Sequence, residues 1–189
     1  LLPWQLFASA LTEISNSLLT NKGMISKIYF PRLIIPASAV IVGLVDFLIS
    51  FVILALLMAW YQFLPDWRIL TFPLFLLLAA ITALGAGFWF AALNVKYRDV
   101  RYIVPFLVQF GLYISPVGFS SSIVPDRWRL LYSINPMVGV IDGFRWAILG
   151  GESQPHWPGF VLSIFLAALI FWGGLKYFRK VERTFADVI

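Results

Sequence analysis

Two long apolar runs constrain the fold of this chain more than any other feature. Residues 34–60 hold a single charged side chain, Asp46, and residues 69–93 hold none. A helix needs about 20 mostly apolar residues to cross the hydrocarbon core of a bilayer, and both runs exceed that length. Only 12% of the chain is charged, whereas soluble domains carry about 25%. The sequence therefore predicts an all-α membrane protein built as a polytopic helical bundle.

Three further apolar segments complete the predicted bundle. They cover residues 1–19, 103–119 and 159–175. With the two long runs they predict five spans in one membrane domain over residues 1–189, surrounded by membrane lipid. Because the chain has no cysteine and a single histidine, His156, it offers neither disulfides nor a histidine metal cluster.

The distribution of Lys and Arg predicts the orientation. Most of the 14 basic residues lie in loops 20–33 and 94–102 and in the tail after residue 175. Moving such a charge to mid-membrane costs roughly 3 kcal/mol on the insertion scale, and basic loops face the cytoplasm. We therefore expect these loops and the C-terminus to be cytoplasmic. Because the basic residues follow the loops, the pI of 9.7 reflects topology, and we expect no nucleic-acid partner.

The sequence lacks the motifs that soluble enzymes use. It contains no GxxxxGK[ST] phosphate loop, no GxSxG elbow and no HExxH pair. The stretch "GAGFWF" lies inside the run 69–93, so it is not a phosphate cradle. These observations predict a protein that is not an enzyme and binds no cofactor of its own.

The region between residues 116 and 158 cannot form an ordinary span. It contains two short helix candidates, one bracketed by Pro125 and Pro136 and one that follows Pro136. Asp142 and Arg145 lie at i and i+3 and can pair on one helical face. Two half-length helices at the outer face fit this pattern, either as a gate that lines a passage or as a simple cap on the bundle.

The segment 103–119 carries the most informative helical face. Phe106, Gln109, Phe110 and Tyr113 fall at i, i+3, i+4 and i+7 and form one continuous stripe. An amide within a span is costly unless it has a partner, so we expect this face to look inward. Rings with interspersed hydrogen-bonding groups suit sugars. The alternative is a packed aromatic core in which Gln109 bonds to a neighbouring helix.

Loop 20–33 predicts a short amphipathic helix at the cytoplasmic surface. Its apolar stripe is formed by Met24, Ile25, Ile28 and Tyr29. Pro31 ends the helix, because the residue before a proline resists the α conformation. Such a helix either lies on lipid headgroups or docks in a groove of a partner.

Five segments of the sequence together resemble one known family. They are "LLPWQLF", "KIYFPRLIIP", "KYRDVRY", "INPMVGVIDGFRWAILGG" and "VERTFADVI". In this order and spacing they resemble the membrane subunit of ABC-2 type polysaccharide exporters, which move O-antigen, capsular polysaccharide or teichoic acid chains. The resemblance extends from residue 1 to residue 189.

The resemblance implies a permease of the bacterial inner (plasma) membrane that works as a homodimer with six spans per subunit. The amphipathic N-terminal helix and first span of the family are then expected to precede residue 1. Two separate ABC ATP-binding subunits would bind ATP and Mg. The cargo would be a polysaccharide or lipid-linked glycan.

The resemblance also implies roles for three groups of residues. A cytoplasmic helix at 20–30 and the loop at 97–99 would contact the ATPase, through Lys22, Met24, Ile25, Lys27, Ile28, Tyr97, Arg98 and Asp99. The aromatic face of 103–119 would line the path. The outer gate would include Trp128, Asn135, Pro136, Asp142, Phe144 and Arg145.

Three rival functions remain open at this point. One is an ABC-2 exporter of lipids or drug-like molecules. A second is a proton-coupled carrier centred on Asp46, the acid placed deep in a span, although the sequence favours a partnered structural carboxylate for Asp46 over this role. The third is a membrane glycosyltransferase, which would need an exposed acidic pair in the cytoplasmic loops.

Overall fold

The computed structural model describes residues 1–25, 31–63, 65–97, 99–150 and 156–182. Within them the structure is helical, which confirms the all-α prediction. The α-helices are α1 Leu2–Thr20, α2 Lys22–Ile25, α3 Ile34–Trp60, α4 Phe72–Lys96, α5 Val100–Ile114, α6 Asp126–Tyr132, α7 Pro136–Leu149 and α8 Trp157–Glu182. Short 3-10 turns lie at Trp67–Thr71 and Ser121–Ile123.

Three helices in the described part of the chain are long and apolar enough to cross a membrane unaided. They are Ile34–Trp60, Trp67–Lys96 and Trp157–Glu182. The 15 residues of α5 span only about 22 Å, less than a hydrocarbon core of about 30 Å. Helix α5 ends before the predicted boundary at 119 because Pro116 follows closely and Ser115 is extended. The count of five spans stays a prediction.

Helices α1, α4 and α8 run in the same direction through the bundle. Phe75 contacts Phe160 near the starts of α4 and α8, and Phe88 contacts Phe178 near their ends, with ring centroids 5.6 and 5.7 Å apart. These two helices are therefore parallel. Asn94 Nδ2 donates to Ser15 O at 3.0 Å near the ends of α4 and α1, so α1 runs the same way.

Helices α3 and α5 run in the opposite direction. Ile35, at the start of α3, packs in the same cluster as Leu18, near the end of α1. In α5, Val104 packs with Leu11, and Gly111 lies against the ring of Trp4. The ends of α1, α4 and α8 and the starts of α3 and α5 therefore meet at one end of the bundle.

We call this end the basic end, because the basic residues of the predicted cytoplasmic segments converge there. They include Lys22, Arg32, Lys96, Arg101, Arg179 and Lys180. The main chain there is tied across the bundle: Arg32 N donates to Glu182 Oε1 at 3.1 Å, and Arg32 Nη1 donates to Glu182 O at 2.7 Å. Helices α6 and α7 lie at the opposite end.

Helix α4 packs closely on both α1 and α8 through small residues. A Cβ added to Gly87 would lie 2.5 Å from Ile14 Cγ2 of α1. On its other side, Gly85 faces the backbone of Phe171, and Gly174 faces the carbonyl oxygen of Gly85. Small residues let helix backbones approach within a membrane, where apolar side chains gain little by leaving lipid.

An aromatic cluster fills the core at the opposite end. Phe144 of α7 meets Phe72 edge to face, with centroids 4.7 Å apart, and Phe47 of α3 lies 6.0 Å from Phe144. Such tilted pairs favour the contact of ring edges with ring faces. The cluster joins α7 to α3 and α4, so the short outer helices are anchored to the long ones.

Candidate transport path and partner surfaces

The predicted aromatic face of α5 points away from the rest of the chain. Phe106, Phe110 and Tyr113 are 65%, 54% and 72% exposed, and Gln109 is exposed with them. The rings of Phe106 and Phe110 stack at 6.0 Å with planes 6° apart. In the single chain these side chains therefore do not pack inside the helix bundle, and their role in lining a path stays a prediction.

The reason lies on the other side of α5. Val104 is fully buried against α1, in a cluster with Leu11, and Gly111 admits the ring of Trp4. Helix α5 thus uses its small and aliphatic residues for packing. Its large rings cannot approach α1 as closely, so they are left on the outer face.

A polar groove runs between α1 and α5 beside this aromatic face. It has a volume of about 410 Å³ and is lined by Leu1, Trp4, Gln5, Ala8, Ser9, Thr12, Glu13, Val108, Gln109 and Leu112. Gln109 belongs both to the groove and to the aromatic face. The two features therefore form one continuous surface, which we call the α1–α5 wall.

The polar side of α1 was not predicted from the sequence. Gln5, Ser9, Thr12 and Asn16 are spaced four, three and four residues apart, which places them on one helical face, with Glu13 at its edge. Glu13 is exposed in the groove and is a second acid inside a predicted span, besides Asp46. The signal that could have revealed it is this helical period of polar residues.

Asp46 lies on the outer face of α3. It is exposed among the exposed side chains of Val42, Val45 and Ile49. One interpretation expected Asp46 to be a structural carboxylate partnered with another helix. In the described part of the chain its side chain is instead exposed. Its side chain also lies outside the α1–α5 groove.

The outer segment forms two short helices, as predicted. Helix α6 has 7 residues and α7 has 14, so α7 is only about 21 Å long. Asn135 caps α7 by accepting a hydrogen bond from Met137 N at 3.0 Å, and Pro136 occupies the first turn. Both residues suit a helix start.

Three side chains bind these short helices to the last residue of α5 and to the segment that follows it. Tyr132 donates its hydroxyl to Ile114 O at 2.7 Å. Asn135 Nδ2 donates to Ser115 Oγ at 2.9 Å, and Arg145 Nη2 donates to Val117 O at 3.1 Å. The end of α5 is thereby tied to α6 and α7.

Asp142 and Arg145 pair on α7 as their spacing predicts. Their nearest charged atoms are 3.9 Å apart, and Asp142 is 6% exposed. Burial raises the pKa of the Asp142 carboxyl, and this outweighs the opposing effects of Ser121, Arg145 and Arg129. Burial also raises the pKa of Tyr132 to about 12.

The remaining predicted gate residues lie in different environments. Trp128 of α6 is exposed, whereas Phe144 is 3% exposed inside the aromatic cluster. A side chain packed in this way against α3 and α4 cannot move without disturbing the core. Phe144 is therefore placed to hold α7 on the bundle, while Trp128 is on the surface.

The predicted ATPase-contacting residues lie at the basic end where the structure describes them. Lys22 and Met24 of α2 are exposed, as are Tyr97 and Asp99 between α4 and α5. Lys96 Nζ lies 5.2 Å from the centroid of the Tyr97 ring. Lys27, Ile28 and Arg98 and the side chain of Ile25 lie outside the described residues.

Fold and surfaces together define a multi-pass helical membrane protein with an exposed aromatic and polar wall. Residues 4–149 match the model of the ABC-2 type transporter family, and the chain belongs to that family.

Several curated relatives are similar to this chain. The O-antigen export system permease protein RfbA of Myxococcus xanthus is 25% identical over 191 residues, which cover 100% of this chain and 73% of the relative. A protein of the same name from Klebsiella pneumoniae is 27% identical over 199 residues, with the same coverage. The inner membrane transport permease YadH of Escherichia coli K12 is 29% identical over 110 residues, 57% of this chain and 43% of the relative.

Proposed function

We propose that this chain is the membrane subunit of an ATP-driven exporter that moves a polysaccharide or lipid-linked glycan out of the cytoplasm. Membership of the ABC-2 type transporter family supports the transport role. Two relatives that match this chain along its whole length are named O-antigen export system permeases, and these names support a glycan cargo. The observation that carries the proposal is the α1–α5 wall, with its exposed rings beside a polar groove.

The chemistry of this wall suits a sugar chain. The C–H faces of a sugar ring stack on aromatic rings such as Phe110 and Tyr113, while its hydroxyls need donors and acceptors such as Gln109. The stacked pair of Phe106 and Phe110 gives a flat surface along α5. A sugar chain can slide along such a surface, because successive residues exchange one weak contact for another of the same kind.

The exposure of the wall supports assembly as a homodimer. A lipid-facing stripe with Gln109 and Glu13 would leave polar groups against hydrocarbon, which is unfavourable. A second copy of the chain would cover this stripe and enclose the passage between the two walls. The outer helices α6 and α7, tied to the end of α5, would then lie over its exit and act as the gate.

ATP hydrolysis would take place in a separate ABC ATP-binding subunit at the basic end. The exposed residues there that would contact it are Lys22, Met24, Tyr97 and Asp99. Closure of the partner around ATP and Mg would push α2 and the α4–α5 turn, and so the start of α5. Under this proposal the basic end and the C-terminus would face the cytoplasm.

The proposal is tested by Phe110→Ala and Tyr113→Ala in cells that export a long glycan. Both side chains are exposed, so their removal leaves the fold nearly unchanged, whereas export of the long chain should fall about tenfold. Surface glycan is measured by gel and the folded permease by size-exclusion chromatography. Phe165→Ala, an exposed ring on α8, is the matched control.

Two results would count against the transport path. One is a loss of export that follows the loss of folded protein in the two α5 variants. The other is an equal effect of Phe165→Ala, because that ring lies on a helix outside the α1–α5 wall.

A further inference from the structure

We infer that the α1–α5 wall selects uncharged glycans over polyanionic ones, with Glu13 as the residue that discriminates. The inference rests on the proposed function and narrows its cargo. Its basis is the composition of the groove. Among the described residues that line it, Glu13 is the one with a charged side chain, and the uncharged polar side chains include Gln5, Ser9, Thr12 and Gln109.

Glu13 lies part of the way into the helix bundle, counted from the basic end. A Cβ added to Gly43 of α3 would lie 3.3 Å from Ala10 Cβ, and Gly43 is about 14 Å along α3 from the basic end. Glu13 follows Ala10 by one turn of α1, about 4.5 Å nearer that end. It therefore lies about 9 Å inside the start of α3 by the same helical rise.

At this depth an acid affects charged cargo strongly. Apolar side chains such as Leu112 and Val108 share the groove with Glu13, and water is less able to screen charges there than at the surface. A sugar hydroxyl can donate a hydrogen bond to the Glu13 carboxyl group. A phosphate or uronate group on the cargo cannot, and its negative charge is repelled.

Among the described residues, the groove is lined by no Lys or Arg side chain that could compensate for Glu13. Arg101, in the first turn of α5, directs its guanidinium to the neighbouring Tyr102, with Cζ 4.6 Å from the ring centroid. It lies nearer the basic end than Gln109, by about two turns of helix. Cargo would thus pass a basic entrance and then an acidic, hydroxyl-binding groove.

Hydroxyl and amide groups fill the other polar positions of the groove. Thr12 Oγ1 donates to Ala8 O at 2.8 Å within α1, which leaves its oxygen free to accept from a cargo hydroxyl. Gln5 and Gln109 offer both donors and acceptors. These groups carry no charge and can bond to neutral hydroxyls, so the discrimination by charge depends on Glu13.

The test uses the purified complex of the permease with its ATPase subunit in lipid nanodiscs. Two probes are compared: maltoheptaose, and the same oligomer oxidised at C6 to the glucuronate. They differ in charge but share length and linkage. The readout is the concentration of each probe that gives half-maximal stimulation of ATP hydrolysis. For the wild type, maltoheptaose should act at about tenfold lower concentration, equivalent to about 1.4 kcal/mol.

Variants assign the preference to Glu13. Glu13→Gln keeps the size of the side chain and should reduce the tenfold ratio to about one, and Glu13→Lys should reverse it, so that the glucuronate acts at the lower concentration. Asp46→Asn is the matched control, because Asp46 is also an exposed acid within a span but lies outside the groove. It should leave the ratio unchanged.

Failure of the inference differs from failure of the proposed function. If both probes stimulate the wild type at equal concentrations, or if Asp46→Asn changes the ratio as much as Glu13→Gln does, the selection by Glu13 is wrong while glycan transport stands. If neither probe stimulates the wild-type complex, the glycan cargo itself is refuted, and the selection with it.

Discussion

Replacing Gly85 by alanine should separate α4 from α8. A Cβ at this position would lie 2.5 Å from Phe171 Cα and 2.6 Å from Phe171 N. These are backbone atoms, so no side-chain rotation relieves the clash, and the helices must move apart by about 1 Å to reach ordinary contact. Overpacking of this kind typically costs about 1–3 kcal/mol. We expect Gly85→Ala to lie at the upper end, because the neighbouring contact of Gly174 with Gly85 O is lost as well.

The assay is thermal unfolding of the purified chain in detergent micelles, followed by the loss of monodisperse protein. Two other glycines form a graded series of controls. A Cβ on Gly43 would lie 3.3 Å from Ala10 Cβ, whereas one on Gly118 meets nothing within 4 Å. The expected order of destabilisation is Gly85→Ala, then Gly43→Ala, with Gly118→Ala close to wild type. Equal unfolding temperatures for Gly85→Ala and Gly118→Ala would refute the close crossing of α4 and α8.

Two further predictions concern the two ends of the bundle. Lys22→Glu should weaken assembly with the ATPase subunit about tenfold, or about 1.4 kcal/mol, as measured by pull-down at low salt. The control Lys176→Glu on α8 should leave assembly unchanged. Equal weakening by the two variants would exclude α2 as the contact. Burial raises the pKa of Tyr132 in the folded chain from its ordinary value of 10.0 to about 12. Its contribution to the stability of the fold is therefore complete below pH 10 and is lost progressively as the pH rises towards 12. The absorbance difference between wild type and Tyr132→Phe should therefore titrate near pH 12. A midpoint near 10 would contradict the partly buried environment of Tyr132.

Much of the fold could be predicted because its causes are local in the sequence. The runs 34–60 and 69–93 form helices long enough to span a membrane, since length and apolar content are sufficient to define such a helix. The pairing of Asp142 with Arg145 followed from their i, i+3 spacing. The short outer helices followed from Pro125 and Pro136, which restrict where a helix can start or continue.

The candidate site was predicted in part. The sequence showed that Phe106, Gln109, Phe110 and Tyr113 share one face of α5, because a helical period is a local property. It did not show which way that face points. Gln109 was expected to seek a partner inside the bundle, yet Val104 and Gly111 give α5 a tighter contact with α1.

The sequence by itself thus determined the class of protein, the presence of long apolar helices in the runs 34–60 and 69–93 and the clustering of basic charge in certain loops. Only the tertiary structure decided that α5 turns its rings outward, that Glu13 shares a groove with Gln109, and that Phe144 is buried in an aromatic cluster. The physical reason is the range of the interactions. Hydropathy and helical period act over a few residues, whereas the neighbour of a side chain depends on how closely distant helices can approach, as at Gly85 and Gly111.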